Sequence, residues 1–328
     1  MSKPKVAFYW CASCGGCEEA VVDLDEAILD VVAAVDIVFW PVAMDFKRSD
    51  VEAMADGSIA VAFINGAIRS SEQLEMVEML RRKAQLVVAF GSCAHLGGLP
   101  GLANMHSVDT VTRTAYREVP SVSNAEGVMP NTAVKVDQGT LTLPALWETV
   151  KTLDQTIAVD YYLPGCPPPV KLIMNAVGAI LRNELPPKGA VLAPDMALCE
   201  ECPRRDTKPD KLGITEFHRP HEIMIDPEKC LLAQGLLCLG SVTRKGCDSV
   251  CINGNMPCTG CMGPTGRVMD YGAKALSAVT SLIDAKDERQ IEAVLQKIAD
   301  PVGTFYRYSL PASLLHRRHV TARKGEER

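Results

Sequence analysis

At 328 residues, with 47% apolar and only 5% aromatic residues, the chain is long enough for roughly two cored domains. Its net charge of −6 speaks against nucleic-acid binding, which needs a concentrated basic surface. The compositional outlier is cysteine, with thirteen copies.

From the N-terminus, Met-Ser-Lys-Pro-Lys runs straight into an apolar segment, with no signal-peptide core and no twin-arginine pair. No apolar stretch approaches the ~18 residues of a membrane span. The expectation is a cytoplasmic protein with reduced thiols, in which many cysteines mean metal ligation rather than disulfides. The odd cysteine count also argues against a disulfide-stapled secreted domain.

Residues 6–10 read as a short strand ending in a Cys/Gly loop, and residues 18–34 as a helix with apolar spacing and acidic residues in its first turn. Residues 36–40 and 59–64 read as buried strands. Residues 70–83 form an amphipathic helix with Ser caps and a basic end. Residues 86–90 are a further strand, broken by Gly91-Ser92-Cys93, and the Gly/Pro/Asn-rich stretch 94–143 reads as an insertion. A helix is expected over 144–155, a strand over 159–163, and a helix over 168–183 that opens on prolines suited to a first turn. Repeated strand–helix alternation implies an α/β fold with a helix-covered parallel sheet, and residues 1–185 form the first expected domain.

The second expected domain, 186–328, changes character. Eight cysteines lie between Leu185 and Pro264 among many Gly and Pro, with little periodicity. So long an irregular stretch needs an organiser other than apolar packing, and metal clusters can supply it. Residues 267–283 and 288–299 read as closing helices. The basic run 316–328 reads as a solvated tail, with partner docking as the alternative.

Three cysteine-bearing turns follow predicted strands: Cys11, Cys14 and Cys17, then Cys93, then Cys166. In an open parallel sheet the C-terminal strand ends share one edge, so these distant cysteines converge there. Glycines accompany each turn (Gly15 and Gly16, Gly91, Gly165) and allow close backbone approach. The bacterial ferredoxin spacing fails because position 21 is Val, and haem attachment fails because no Cys-x-x-Cys is followed by His. Zinc and iron–sulfur clusters both remain compatible with these thiolates. No dinucleotide fingerprint follows a strand, and a flavin would meet a crevice already occupied by cysteines.

Cys14-Gly-Gly-Cys17-Glu-Glu19, Gly91-Ser-Cys93-Ala with Gly97-Gly98, and Pro164-Gly-Cys166-Pro-Pro resemble, in this order, the proximal-cluster motifs of [NiFe] hydrogenase small subunits. The resemblance extends over most of the chain and implies a flavodoxin-like first domain followed by an irregular cysteine-rich iron–sulfur domain. It implies three [4Fe–4S] clusters: a proximal one held by Cys14, Cys17, Cys93 and Cys166, a distal one by Cys199, Cys202, Cys230 and Cys238, and a medial one by Cys247, Cys251, Cys258 and Cys261. Many family members have His at the first distal position and only three medial cysteines, so the all-cysteine sets are a departure shared with cytoplasmic members. Cys11 is a second departure, since it competes with Cys14.

The most similar group is the methyl-viologen-reducing (F420-non-reducing) type, for which Cys11 would be left as a buried thiol. That implies an electron-relay subunit with no catalytic residue of its own. Its obligate partner is a [NiFe] hydrogenase large subunit, and its acceptor a heterodisulfide-reductase-type complex. The alternatives are an F420-reducing or NAD(P)-linked hydrogenase subunit, a complex-I-like subunit (typically with adjacent cysteines and one cluster) and, in another class, a zinc-stabilised interaction protein. Twelve cysteines already satisfy three cubanes, so His95, His218 and His221 read as ordinary loop histidines. Glu19 reads as a first-turn helix carboxylate, with a place beside a proton path as the alternative.

Overall fold

A computed structural model describes residues 3–317. Five strands form a parallel sheet: β1 (Lys5–Trp10), β2 (Asp36–Phe39), β3 (Ile59–Asn65), β5 (Ala84–Phe90) and β9 (Tyr161–Leu163). Their order is β2-β1-β3-β5-β9, which is the flavodoxin-like arrangement, with its switch point between β1 and β3. Every pair in this sheet is parallel, so β1, β3, β5 and β9 end along one edge.

Alternation along the strands sends side chains to two separate cores. Val6, Phe8, Val61, Phe63, Val88 and Phe90 face α1 (Gly16–Val22), α2 (Ala27–Ala34) and α7 (Val170–Arg182). Ala7, Ala62, Ile64, Val87 and Ala89 face α3 (Arg48–Glu52) and α4 (Ser71–Lys83). Because both faces are covered, the central strands are apolar at nearly every position rather than alternately. Ser70 caps α4 in a reciprocal capping box with Gln73, and Arg81, Arg82 and Lys83 occupy its last turn, where the helix dipole favours cations.

Two expected elements differ. The helix expected over 18–34 is two helices, α1 and α2, separated by a turn in which Asp25 has φ 51°. The left-handed residue breaks the i→i−4 ladder although the apolar spacing continues past it. The helix expected over 144–155 is instead a strand, β8 (Leu146–Lys151), paired antiparallel with β4 (Ile68–Ser70) just past the end of β3. Between β5 and β8, the stretch read as an insertion carries α5 (Ser92–Leu96), a 3-10 turn over Leu99–Met105, α6 (Val108–Arg113) and an exposed hairpin of β6 (Ala133–Val136) and β7 (Gly139–Thr142).

Asp160, just before β9, ties the sheet to its flanks. It accepts from Arg81 at 2.6 Å, Lys188 at 2.7 Å and the Val87 N–H at 2.8 Å. Burial opposes its ionisation, but these donors hold the carboxyl below the usual carboxylate range. Asp160→Asn should therefore destabilise the fold by about 2 kcal/mol at pH 7, less than for a fully buried pair because Lys188 reaches solvent. A carboxyl with a depressed folded pKa contributes stability above its unfolded pKa of ~3.9. The wild-type advantage should thus persist from pH 7 to about pH 4 and shrink below it, as denaturation midpoints of the two proteins would record.

The second half is held by two further apolar clusters. One gathers Ile214, Phe217, Leu239 and Leu310 around α9 (Tyr271–Thr280), α10 (Glu288–Gln296) and α11 (Pro301–Phe305). The other joins Leu198, Leu231, Leu236, Ile252 and Cys258, with Ile252 on the short helix α8 (Val250–Asn253). The halves are stitched together: residues 190–192 run along β9, the Gly98 N–H donates to Tyr308 O, and Met262 packs into the first core of the sheet. Of the expected basic tail, residues 318–328 lie outside the described residues. No helix among the described residues is long and apolar enough to cross a membrane.

Candidate functional site

The edge where β1, β5 and β9 end carries the first cysteine set. Cys14 and Cys17 flank the start of α1, Cys93 lies in the first turn of α5, and Cys166 follows β9. The Gly91 and Ser92 N–H groups donate to Leu163 O (2.8 Å) and Gly165 O (2.7 Å), locking the β5 loop to the β9 loop. Gly91 (φ +86°) lies so close to the Cys17 thiol that a Cβ there would stand 2.4 Å from Sγ. A Cβ on Gly98 would stand 2.3 Å from Cys93 Sγ. These glycines leave room for the thiols where an alanine would not.

Burial pushes the Cys17 thiol up, and Cys93, Cys166 and Cys14 add to the shift. Cys93 is raised to about 12 by burial, with Cys166 and Cys14 contributing, and Cys166 is raised by burial and Cys14. The four thiols are thus brought together, and the ionisation of Cys17, Cys93 and Cys166 is opposed by their neighbours in the set. Cys11 is not among them. It is 5% exposed on the opposite face of the sheet, in the core with Ile64, Val77 and Leu80, and its thiol is raised by burial and Glu72.

The second set lines a cavity formed by Cys199, Cys202, Cys230 and Cys238 with Arg204, Lys208, Leu231, Leu232 and Ile252. Cys199 is raised to about 11 by burial and then Cys238, with Cys202 and Cys230 adding to it and Lys208 opposing. In the third set, burial raises Cys261, and Cys247 and Cys251 contribute. Burial raises Cys258 as well, and Cys261 is among its secondary causes. Burial raises Cys247, whose carbonyl accepts from the Val250 N–H at the start of α8, while Cys251 within that helix is exposed. Among the described residues no three His, Cys, Asp or Glu side chains crowd closely enough to hold a single metal ion.

The three sets are contiguous. The Ser92 hydroxyl donates to Cys261 O, and Cys166 lies near enough to Cys261 to contribute to the rise of its thiol, so the first set adjoins the third. The Cys258 N–H donates to Cys238 Sγ at 3.4 Å, so the third adjoins the second. The set that comes last in sequence therefore lies in the middle of a line.

The donor chemistry fits iron–sulfur clusters. Burial and neighbouring thiols raise Cys17, Cys93, Cys199, Cys258 and Cys261, and a cationic core would remove both penalties by binding thiolate. N–H groups aimed at cysteine sulfurs, as at Cys14 (from Gly16, 3.4 Å) and Cys238 (from Cys258, 3.4 Å), are the contacts that tune such clusters.

Glu19 stands in the first turn of α1, as expected, while His95 departs from its reading as a loop histidine. Glu19 is exposed, whereas Glu18 beside it is 3% exposed and accepts from Trp40 Nε1 and Asn65 Nδ2. Burial raises Glu18, against those two hydrogen bonds. His95 is not a loop residue but sits buried on α5, its ring 4.6 Å from that of Tyr162, and burial lowers it to about 4, leaving it neutral. His218 lines, with Cys258, a cavity of about 450 Å³, and His221 is exposed. Sequence reasoning missed Glu18 and Arg204; no spacing signal marks either, because both are defined by contacts with residues distant in the chain.

Comparison with known proteins gives concordant results. Residues 14–180 match the family described as NADH ubiquinone oxidoreductase, 20 kDa subunit. The chain is 39% identical over 317 residues to an F420-non-reducing hydrogenase iron-sulfur subunit of Archaeoglobus profundus, covering 96% of this chain and 98% of that protein. It is 37% identical over 316 residues to an F420-non-reducing hydrogenase subunit of Methanothermobacter thermautotrophicus, covering 95% and 96%. Its fold is similar to that of the H2-activated [NiFeSe] hydrogenase of Dm. baculatum, with a TM-score of 0.52 at 16% identity over 80% of this chain and 95% of that chain.

Proposed function

Because the chain belongs to the NADH ubiquinone oxidoreductase 20 kDa subunit family and groups with subunits of F420-non-reducing hydrogenases, we propose that it is the electron-relay small subunit of a cytoplasmic [NiFe] hydrogenase. The observation that carries this reading is the continuous line of twelve cysteines, in which Cys166 adjoins Cys261 and Cys258 adjoins Cys238. When bound, three [4Fe–4S] clusters would supply reversible one-electron storage along that line.

In this reading Cys14, Cys17, Cys93 and Cys166 hold the proximal group at the sheet edge, and Cys247, Cys251, Cys258 and Cys261 the medial one. Cys199, Cys202, Cys230 and Cys238 hold the distal one. Electrons from H2 enter at the sheet edge from a Ni–Fe-bearing large subunit and leave beyond the distal set to an acceptor, for which a heterodisulfide-reductase-type complex is proposed. The first domain comprises residues 1–185 and binds the large subunit; the second, 186–328, carries the relay onward. The protein's own work is to bind, space and insulate. Buried Cys17, Cys93 and Cys258 keep thiolates out of water, and backbone N–H groups set the charge each sulfur carries.

Anaerobic reconstitution should load about 12 iron and 12 acid-labile sulfide per chain, the sum of three four-thiolate cubanes. Stoichiometric zinc in their place, or only about four iron, would refute the three-cluster relay.

A further inference from the structure

Arg204 follows Cys202 by two residues and is 4% exposed. Its guanidinium donates to four acceptors: Asp226 O (3.4 Å) and Lys229 O (3.3 Å) from Nη1, and Ile252 O (3.0 Å) and Asn255 Oδ1 (2.8 Å) from Nη2. All four are neutral oxygens. Among the described residues no carboxylate pairs with Arg204, in contrast to the other buried arginine, Arg244, which has Asp195 at 3.1 Å. A buried cation satisfied in its hydrogen bonds but not in its charge is costly unless an anion lies nearby. Arg204 lines two cavities, one shared with Glu228, Ile252 and Asn255 and one shared with Cys199, Cys202, Cys230 and Cys238; Glu228 forms no ion pair with it, and the second cavity offers the sulfurs as a source of negative charge. Lys208 also lines that cavity, but it is exposed and so screened by water and salt.

We infer that Arg204 is the built-in counter-charge of the Cys199–Cys202–Cys230–Cys238 set and raises the reduction potential of the iron–sulfur cluster held there, an inference that rests on the cluster reading above. One-electron reduction adds a negative charge to the cluster, and a fixed neighbouring cation in a low-dielectric site favours that state. The same guanidinium also acts as a positioning residue. Lys229 precedes Cys230 and Ile252 follows Cys251, so its two nitrogens hold ligand-bearing segments of two adjacent cysteine sets at one fixed separation. Arginine suits this double task, since its planar fork supplies several donors while staying charged at any working pH.

The test is a redox titration of the intact complex, followed by the EPR signal that disappears in Cys230→Ala. Arg204→Gln should disfavour reduction of that cluster about tenfold, equivalent to a midpoint about 59 mV lower for one electron, while the other signals stay put. Arg204→Lys, which keeps the charge but not the full set of hydrogen bonds, should stay within about threefold of wild type. An unmoved midpoint in Arg204→Gln, or equal shifts in both variants, would overturn the assignment. If Arg204→Gln fails to load the cluster, Arg204→Lys decides. A loaded cluster within threefold of wild type supports the counter-charge role, and a tenfold shift or an unloaded site overturns it. Absence of any Cys230-dependent signal in the wild type would instead overturn the cluster reading itself, and this inference with it.

Discussion

Cys166→Ala should abolish H2-driven electron transfer while leaving two of the three proposed clusters in place. Cys166 occupies a double position: its thiol lies with Cys14, Cys17 and Cys93, and it neighbours Cys261 of the next set. Removing the thiol leaves three ligands at the only set on the sheet edge, where electrons are proposed to enter. About four of the expected 12 iron should be lost, and dye reduction by H2 should fall to background. The control is Cys11→Ala. Cys11 packs in the opposite core, against Ile64, Val77 and Leu80, so its loss should cost about 1 kcal/mol of stability and no iron. Iron analysis with EPR on both variants checks this. Retention of all 12 iron in Cys166→Ala, or loss of a cluster in Cys11→Ala, would show that the ligands of the sheet-edge set are wrongly assigned.

Gly91→Ala should have a comparably large effect without replacing any of the proposed ligands. Gly91 ends β5 with φ 86° and ψ 167°, a region essentially reserved for glycine, and an L-residue there carries about 1–3 kcal/mol of strain. Its Cβ would also stand 2.4 Å from Cys17 Sγ and 3.5 Å from Gly165 O, between two of the loops that make the set. The thiol is the mobile partner in this clash, so it would swing aside, and a displaced Cys17 cannot meet the other three cysteines. The expected result is a folded protein lacking about four iron, whose remaining EPR signals match those of Cys166→Ala. A fully loaded Gly91→Ala protein with wild-type signals would show that the close approach at this strand end is not needed to hold the cluster.

The elements most legible in the sequence are those whose local chemistry agrees with their tertiary setting. Helix α4 announces itself through Ser70, Gln73 and the basic Arg81–Lys83 end, and the structure uses all of them. The apolar runs at β1, β3 and β5 could only be central parallel strands, because both faces are buried. Where local and tertiary signals conflict, the tertiary one prevails. Residues 18–34 keep helical apolar spacing across a turn that Asp25 enters in a left-handed conformation. Leu146–Lys151 can read as a helix until β4 offers it strand hydrogen bonds.

The cysteine positions divide in the same way. That thiols gather at the end of β1, β5 and β9 follows from the sequence, because strand direction and parallel pairing send three loops to one edge whatever the side-chain details. Cysteine content and spacing likewise point to metal-binding chemistry in the second half, but that apolar clusters around Leu239 and Leu236 also hold it is not legible in its weak periodicity. The separation of Cys11 from Cys14 is different: both follow β1, and only the turn between them and the packing of each sheet face send one thiol into the α4-side core and leave the other at the edge. The middle place of the Cys247–Cys261 set, reached through Cys166 on one side and Cys238 on the other, is also a tertiary fact, since order in the chain puts that set last. Arg204 is the extreme case. Nothing within a few residues distinguishes it, and it becomes a buried cation only because segments near 226–229 and 252–255 close over it. Backbone pattern and ligand type are local properties that a sequence carries directly; burial, charge compensation and the order of sites in space are sums over distant contacts, and they exist only once the chain has folded.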